Sequence, residues 1–309
     1  MFFNPDGVEP GSFADLLRWQ FGSRRAKWPK DYPSPYRQAV PRTRVTGSGI
    51  TVTMVGHATL LIQTQALNFL TDPVWSARAS PFSFAGPKRV NRPGIDLDDL
   101  PPVDHVLLTH NHYDHLDLAT LGKIVEKHNS NIITPLGNDR IIRKSLPHAR
   151  LTTGDWGDVV ELDNVNVHVE PVHHWSARGF RDRRMALWAA FLLETPDHRI
   201  YHIGDTGYHS GRNYAALREK HGPVDLAILP VGAYEPRWFM KGQHQNPEEA
   251  VLGHLALAAK SSIGHHWGTF QLTNEEIDAP IVALEEARKK YGIAEDTFMA
   301  MRPGQIWQA

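Results

Sequence analysis

The stretch of sequence that decides the fold is Thr109-His110-Asn111-His112-Tyr113-Asp114-His115-Leu116-Asp117. The apolar run at residues 106–108 before it predicts a buried strand, and Asp117 can cap a helix that follows. Three imidazoles and one carboxylate therefore fall within six residues, in the turn between a strand and a helix. Neutral imidazole and carboxylate are the ligands that zinc prefers where no thiolate is available. The stretch predicts a metal site rather than a polar loop that happens to be rich in histidine.

The composition restricts the class of protein. The 309 residues are enough for one large domain or two small ones with a substantial core. A formal net charge of -1 argues against a dedicated nucleic-acid binder, and the lack of cysteine leaves His, Asp and Glu as metal ligands. No apolar run approaches the roughly 18 residues that span a bilayer, and the first residues do not resemble a signal peptide. We expect a soluble, cytoplasmic protein that is at most peripheral on a membrane.

An N-terminal arm at residues 1–47 is predicted to precede a catalytic domain at 48–309. Within the arm, Phe13, Leu16, Leu17 and Phe21 fall on one helical stripe, and basic residues and tryptophans follow. A short basic amphipathic helix of this kind either packs its stripe on the core or lies on an anionic membrane surface. The sequence leaves both interpretations open.

The rest of the chain alternates apolar strands with polar loops. Strand-like runs in the second half lead into His173-His174, Asp205 and His265-His266, as expected of a sheet whose carboxyl edge holds a site. Asn246 and Asn274 are predicted to begin helices. The long connection at residues 73–104 carries arginines that would suit an anionic substrate. Without a separate linker, this pattern predicts one α/β domain made of two halves, each a sheet with helices.

The order His-x-His-x-Asp-His, then a single His, a single Asp and a final His, resembles that of the metallo-β-lactamase superfamily. Longer blocks resemble the N-acyl-phosphatidylethanolamine-hydrolysing phospholipase D family within it; they lie at residues 69–73, 78–81, 109–117, 204–208, 232–240 and 266–270. Together the blocks span about residues 50–302. The superfamily motif is shared by lactonases, nucleases and thioesterases. The run Gly-Ala-Tyr-Glu-Pro-Arg-Trp-Phe-Met at 232–240 is much more specific.

The resemblance implies an αββα sandwich of two mixed sheets flanked by helices, with two zinc ions and with iron or manganese as alternatives. One ion would be held by His110, His112 and His174. The other would be held by Asp114, His115 and His266, and Asp205 would bridge the two. In each histidine pair the family has histidine directly before tryptophan, which selects His174 over His173 and His266 over His265.

The implied activity is a phospholipase D-type phosphodiesterase that cleaves N-acyl-phosphatidylethanolamine-like lipids to N-acylethanolamine and phosphatidic acid. Asp114 and Asp205 are its candidate catalytic residues, and Asp72 either orients a ligand histidine or only shapes the turn before Pro73. Candidate substrate contacts, each with an ordinary loop or core role as the alternative, are His57, Tyr113, Tyr208 and His244.

Other functions on the same fold stay open. A metal-dependent lactonase or another small-molecule phosphoester hydrolase would favour a narrow, polar pocket. A non-catalytic binding protein would be signalled by loss of a ligand, yet all seven expected ligands are present. The expected partner is a phospholipid or another phosphodiester, without nucleic acid. The oligomeric state is open, with a homodimer among the alternatives.

Overall fold

The computed structural model describes residues 1–4, 9–22, 24–179 and 181–309. The first half of the chain builds one sheet from the strands β1 (Ile50–Gly56), β2 (Thr59–Thr64), β3 (Leu67–Thr71), β4 (His105–Leu107), β5 (Asn131–Pro135) and β6 (Arg150–Gly154). The second half builds another from β7 (Val159–Glu161), β8 (Asn166–Glu170), β9 (Ala190–Glu194), β10 (Arg199–His202), β11 (Leu226–Pro230), β12 (Ser261–His265) and β13 (Phe298–Ala300). The last strand, β14 (Ile306–Gln308), returns to the first sheet beside β1.

Both sheets are mixed and follow the same plan. In the first, the order is β14-β1-β2-β3-β4-β5-β6, antiparallel up to β3 and parallel from β3 onward. In the second, the order is β13-β12-β11-β10-β9-β8-β7, antiparallel from β7 to β10 and parallel from β10 to β13. The two-halves prediction is therefore confirmed.

Helices cover the outer faces of the two sheets. The α-helices of the described residues are α1 (Phe13–Gly22), α2 (Leu118–His128), α3 (Asn138–Ser145), α4 (Arg212–His221), α5 (Arg237–Met240), α6 (Pro247–Leu257) and α7 (Ala279–Tyr291). Residues of α2 and α3 pack on the first sheet, and residues of α4, α6 and α7 pack on the second. The predicted αββα sandwich is confirmed.

The central core lies between the sheets. Side chains from the first sheet, such as Val52, Ile62 and Phe69, belong to one buried cluster with Val167 and Phe191 of the second. Alternate residues of the same strands face the helices instead, because successive side chains of a strand point to opposite faces. Apolar burial on both faces explains why these strands read as nearly continuous apolar runs.

The N-terminal helix corrects one expectation. Three of the four residues of its apolar stripe do not pack on the core, because Phe13, Leu17 and Phe21 are 60%, 41% and 87% exposed, and only Leu16 is half-buried. Trp19 on the opposite side holds the helix instead: its ring stacks on Phe239 at a centroid distance of 5.2 Å and its Nε1 donates to Asn274 Oδ1. Of the two interpretations of this stripe, packing on the core is wrong.

The long connection at residues 73–104 uses its arginines internally. The Arg89 guanidinium is buried, donates to Val74 O at 2.6 Å and lies over the Phe270 ring. Arg78 donates to Ser83 O and Gly86 O within the same loop. Backbone carbonyls thus take part of the donors of both arginines, and the expectation that these residues meet an anionic substrate stays a prediction.

The structure confirms one of the two predicted helix starts, at Asn246, and shifts the other. Asn246 caps α6 as expected: its side chain accepts from Glu249 N at 2.8 Å, and the Glu249 carboxylate accepts from Asn246 N. The last long helix begins at Ala279 rather than at Asn274, after a turn that Glu275 occupies with hydrogen bonds to a neighbouring loop. Among the described residues, no helix combines the length and the apolar character required to cross a bilayer.

Candidate metal centre

The site lies where four strands end. The metal loop at residues 110–115 comes after β4, and Asp117 then caps α2 by accepting from the backbone N–H groups of Ala119 and Thr120. His174 follows β8, Asp205 follows β10 and His266 follows β12. β4 belongs to the first sheet and β8, β10 and β12 belong to the second, and the carboxyl ends of these strands meet at one edge of the sandwich, which is why ligands distant in sequence meet here.

Three histidines form the first cluster of the site. His110 Nε2 lies 2.9 Å from His112 Nδ1, and His174 Nε2 lies 3.2 Å from the same nitrogen. His110 and His174 are fully buried. Burial holds the pKa of His110 and of His174 well below the ordinary histidine value and lowers that of His112 to about 4. All three rings are therefore neutral and have a lone pair available for a cation.

Two carboxylates and two histidines form the second cluster. Asp114 Oδ2 lies 3.1 Å from His266 Nε2 and 3.5 Å from His115 Nε2. Asp205 Oδ2 lies 3.2 Å from both of these histidine nitrogens and 3.8 Å from His174 Nε2 in the first cluster. Asp205 thus connects the two clusters through a single oxygen.

Charge is balanced within the second cluster. Burial alone lowers the pKa of His266, but Asp205 and Asp114 raise it to about 9. Burial alone raises the pKa of Asp205, but His266 and His115 hold it well below the ordinary value. A cation that binds here would replace the protons on the histidines, so its affinity must fall with decreasing pH.

The donor set fits metal ions. Ligands about 2.0–2.1 Å from a tetrahedral zinc lie roughly 3.3 Å from each other, close to the separations in both clusters. Three neutral imidazole nitrogens that face each other cannot all be satisfied by one another's hydrogen atoms. Among the described residues, Asp205 Oδ1 is moreover buried without a hydrogen-bond partner. A bound cation would satisfy the nitrogen and oxygen lone pairs that no hydrogen atom reaches.

Neighbouring groups orient the histidines. His115 Nδ1 donates to Asp72 Oδ2 at 2.8 Å, which leaves its Nε2 for the site. Asp72 also accepts from Thr109 N and Thr109 Oγ1 at 2.8 and 2.7 Å. His174 Nδ1 donates to Gln243 O at 3.0 Å. Metal-ligating histidines commonly donate their other N–H to a carboxylate or carbonyl in this way, and Asp72 occupies the position expected of such a group.

Two of the four candidate substrate residues lie among the ligands. His57 is buried, with Nε2 3.0 Å from Asp114 Oδ2 and its ring 4.0 Å from that of His266. His244 Nδ1 lies 3.8 Å from Asp205 Oδ2, and the His244 side chain is 15% exposed. His57 can thus hold Asp114 in place, whereas His244 faces Asp205 and keeps a small part of its side chain exposed.

The other two candidates lie further out. Tyr113 donates from its hydroxyl to Arg178 O at 3.0 Å, and the Arg178 guanidinium covers its ring. The ring of Tyr208 lies 6.0 Å from that of Tyr214, and Tyr208 packs against the core beneath the helices of the second sheet. The structure thus brings Tyr113 to the edge of the metal loop and places Tyr208 on the helix side.

The first member of each histidine pair, His173 or His265, faces away from the clusters. His173 stacks on His209 at 4.0 Å, and its Nδ1 lies 3.0 Å from Asn213 Nδ2. His265 is buried, with its ring 5.2 Å from that of His202. His174 and His266 are the members that reach the site.

Several supporting residues could not be found from the sequence. Arg178 donates to Asn111 O and Leu116 O at 3.1 and 2.7 Å and thereby holds both ends of the metal loop. Gln243 acts through its backbone carbonyl, which carries no side-chain signal. Gly232 lets its backbone approach that of His266, because a Cβ at Gly232 would lie 2.3 Å from His266 O. The run at 232–240 is the sequence feature that could have pointed to Gly232.

The sandwich and the His/Asp clusters at its strand ends define a metallo-hydrolase of the β-lactamase fold. Residues 67–267 match the family model described as "Beta-lactamase superfamily domain", and the chain belongs to that superfamily. An N-acyl-phosphatidylethanolamine-hydrolyzing phospholipase D of Caenorhabditis elegans is 39% identical over 85% of this chain and 76% of its own length. The resemblance to these phospholipases is therefore confirmed.

Two further comparisons extend the picture. A mitochondrial protein of the same name from Saccharomyces cerevisiae is 34% identical over 71% of this chain, which spans 47% of the yeast protein. The structure of an isothiocyanate hydrolase from Delia radicum gut bacteria superposes with a TM-score of 0.66 at 19% identity, covering 83% of this chain and 98% of that one. The latter similarity concerns the fold alone.

Proposed function

We propose that this protein is a dizinc phosphodiesterase of phospholipase D type, which hydrolyses N-acyl-phosphatidylethanolamine-like lipids to N-acylethanolamine and phosphatidic acid. The observation that carries the proposal is the pair of clusters that meet at Asp205 Oδ2. The names of the nematode and yeast relatives support this substrate class over the other hydrolyses of the fold. Zinc is the first metal to test, and iron and manganese accept the same His/Asp ligands.

The residues divide between two ions. His110, His112 and His174 would hold one, Asp114, His115 and His266 would hold the other, and Asp205 would contact both. When bound, two such ions supply Lewis acidity toward a phosphate ester and make water a better nucleophile near neutral pH.

The hydrolysis itself requires two proton movements. A water oxygen attacks phosphorus, the bond from phosphorus to the ethanolamine oxygen breaks, and the departing alkoxide takes up one proton. Burial raises the pKa of Asp114, but His115, His266 and His57 hold it well below the ordinary value. Asp114 is therefore ionised, and because its Oδ2 already faces His57, His115 and His266, its other oxygen, Oδ1, would take the proton of the water and return it to the alkoxide. His244, which faces Asp205 Oδ2, contacts the phosphate in this proposal.

A lipid substrate also requires apolar surface on the protein. The exposed stripe of α1 supplies such a surface, and Trp238, next to the Phe239 that stacks on Trp19, is 49% exposed. A cavity of about 370 Å³ beside the metal loop is lined by the apolar Pro81, Phe82 and Leu116 and by the charged Arg78, Asp117 and Arg178, which makes it unsuited to an acyl chain. We propose that the stripe contacts the membrane surface.

The deciding experiment compares two substrates with purified, zinc-loaded protein, with and without a chelator. One is N-acyl-phosphatidylethanolamine in mixed micelles, and the other is a soluble generic phosphodiester. We expect chelator-sensitive release of N-acylethanolamine, lost in His112→Ala and retained in His148→Gln, a change of an exposed histidine outside both clusters. Cleavage of the soluble diester alone would remove the lipid from the proposal, and no turnover of either would favour a lactonase-like hydrolase.

The membrane contact has a separate test. Replacing Phe13, Leu17 and Phe21 together by serine should reduce sedimentation with anionic vesicles and slow turnover in micelles. Turnover of the soluble phosphodiester should not change, because these three side chains are exposed and none of them is a proposed metal ligand. Unchanged vesicle binding in the triple variant would refute the role of α1.

A further inference from the structure

A third group of metal-ligating side chains lies outside the metal centre. It consists of His168 and Glu170 on β8 and His221, the last residue of α4. One ligand atom from each of the three lies within 4.8 Å of the others. His168 and Glu170 share a face of the strand because they are two residues apart. Their neighbours Val167 and Val169 point into the core between the sheets, so this group faces the helix side.

The three side chains are shielded from water. Those of His168, Glu170 and His221 are only 11%, 6% and 7% exposed. The rings of His168 and His221 lie 4.6 Å apart at an interplanar angle of 66°. Two imidazoles and a carboxylate held together beneath a helix form a ligand set that occurs in zinc sites with an open position.

The protonation of His168 leaves it ready to bind a cation. Its Nε2 lies 3.1 Å from Glu194 Oε2, so this nitrogen carries the hydrogen and donates it. Its Nδ1 is buried and has no hydrogen-bond partner among the residues that the structure describes. A histidine that donates one N–H to a carboxylate and keeps the other nitrogen unprotonated has the arrangement that metal-ligating histidines commonly show.

Glu170 also contacts Lys220, whose ammonium group competes with a metal ion for this carboxylate. Lys220 Nζ and His221 Nε2 both lie 2.8 Å from Glu170 Oε1. The Lys220 side chain is 49% exposed, so it can move into solvent when a cation approaches. Without a metal ion, the Glu170 contacts would serve only to link α4 to β8 by hydrogen bonds. That explanation does not account for His168 Nδ1, which has no hydrogen-bond partner in the described part of the chain.

We propose that His168, Glu170 and His221 bind a divalent transition metal ion that cross-links α4 to β8. Nitrogen-rich sites of this kind suit Zn²⁺, Ni²⁺ or Cu²⁺ rather than Mg²⁺ or Ca²⁺. The site is independent of the catalytic proposal, because none of its three residues belongs to the clusters around Asp205. The ion would have a structural role.

The experiment uses Zn²⁺ as the probe and the full chain. Metal-free protein is equilibrated with buffered Zn²⁺, and zinc per folded chain is counted by elemental analysis. His168→Gln and His221→Gln should each bind one zinc fewer than the unmodified protein, with turnover retained, while His148→Gln should bind the same number. Equal zinc content in all four proteins would overturn the proposal.

A second variant keeps the test valid if the glutamine variants do not fold. Lys220→Met removes the competing cation at a half-exposed position where no core packing is lost. The site should then bind Zn²⁺ severalfold more tightly, measured as a larger rise of the unfolding temperature at a fixed zinc concentration. The same zinc response in Lys220→Met and in the unmodified protein would contradict the site.

Discussion

Replacing Asp72 by asparagine changes one atom of a fully buried side chain and tests how the metal centre is held. Asp72 Oδ2 accepts from His115 Nδ1 at 2.8 Å, and Oδ1 accepts from Thr109 N. An asparagine can keep the bond to Thr109 N, but its amide then presents N–H to the N–H of His115. His115 must either lose this bond or move its proton to Nε2, the atom that lies 3.2 Å from Asp205 Oδ2.

The size of the effect follows from that one bond. A hydrogen bond to a charged group contributes about 1.5–3 kcal/mol, and each 1.4 kcal/mol corresponds to about a factor of 10 in an equilibrium constant. We therefore expect zinc affinity at the Asp114, His115 and His266 cluster to fall about 10- to 100-fold, the range typical of groups that orient metal ligands.

The assay is competition for Zn²⁺ against a coloured chelator, with zinc content determined separately. The matched control is Asp104→Asn, which weakens the ion pair that Asp104, just before β4, forms with Arg44. The control should lower the unfolding free energy without changing zinc affinity. A folded Asp72→Asn protein that binds zinc as tightly as the unmodified protein would refute the orienting role of Asp72.

Three other predictions concern stability. Glu275 accepts three backbone N–H groups of residues 233–235, at 2.6, 3.3 and 3.1 Å. Glu275→Gln should therefore lower the free energy of unfolding, measured in urea, by about 1.5–3 kcal/mol. An unchanged free energy would mean that these hydrogen bonds do not stabilise the loop. A Cβ at Gly94 would lie 2.0 Å from a backbone nitrogen, so Gly94→Ala should lower the unfolding free energy by about 3 kcal/mol or more. The control is Gly47→Ala, whose Cβ would meet no atom of the described residues within 4 Å apart from its chain neighbours, and which should lower it by only about 1 kcal/mol. Burial lowers the pKa of His254 below its ordinary 6.5, so the unfolded chain takes up this proton first and stability is lost as pH falls through 6.5. The unfolding free energy should therefore drop less between pH 7 and pH 5 in His254→Asn than in the unmodified protein, and equal drops would exclude this contribution.

Local sequence patterns were sufficient wherever the structure is decided by neighbouring residues. The metal loop at 110–115 could be located because strand, ligands and helix cap follow one another directly in the chain. The capping box at Asn246 is equally local, and the apolar runs of the strands already required burial on both faces. The start of α7 was misplaced because Glu275 turns back to bind residues 233–235, which lie forty residues earlier.

The site itself was only partly predictable for the same reason. Alternation along a strand says that His173 and His174 point in opposite directions, but not which of them reaches the centre. The contact of His57 with Asp114 joins residues 57 positions apart. Gln243 acts through a carbonyl group that every residue possesses, so no pattern of side chains could reveal it.

By itself, the sequence determined the α/β class, the metal-binding loop and the chemistry of its ligands, because these depend on residue types at short spacing. Only the tertiary structure decided that the stripe of α1 faces solvent, that Arg89 is used within its own loop, and that His168 and His221 meet across β8 and α4. Each of these depends on how the chain returns to itself after a long connection. The physical reason is that burial and hydrogen-bond partners are properties of neighbours in space, which local spacing does not specify.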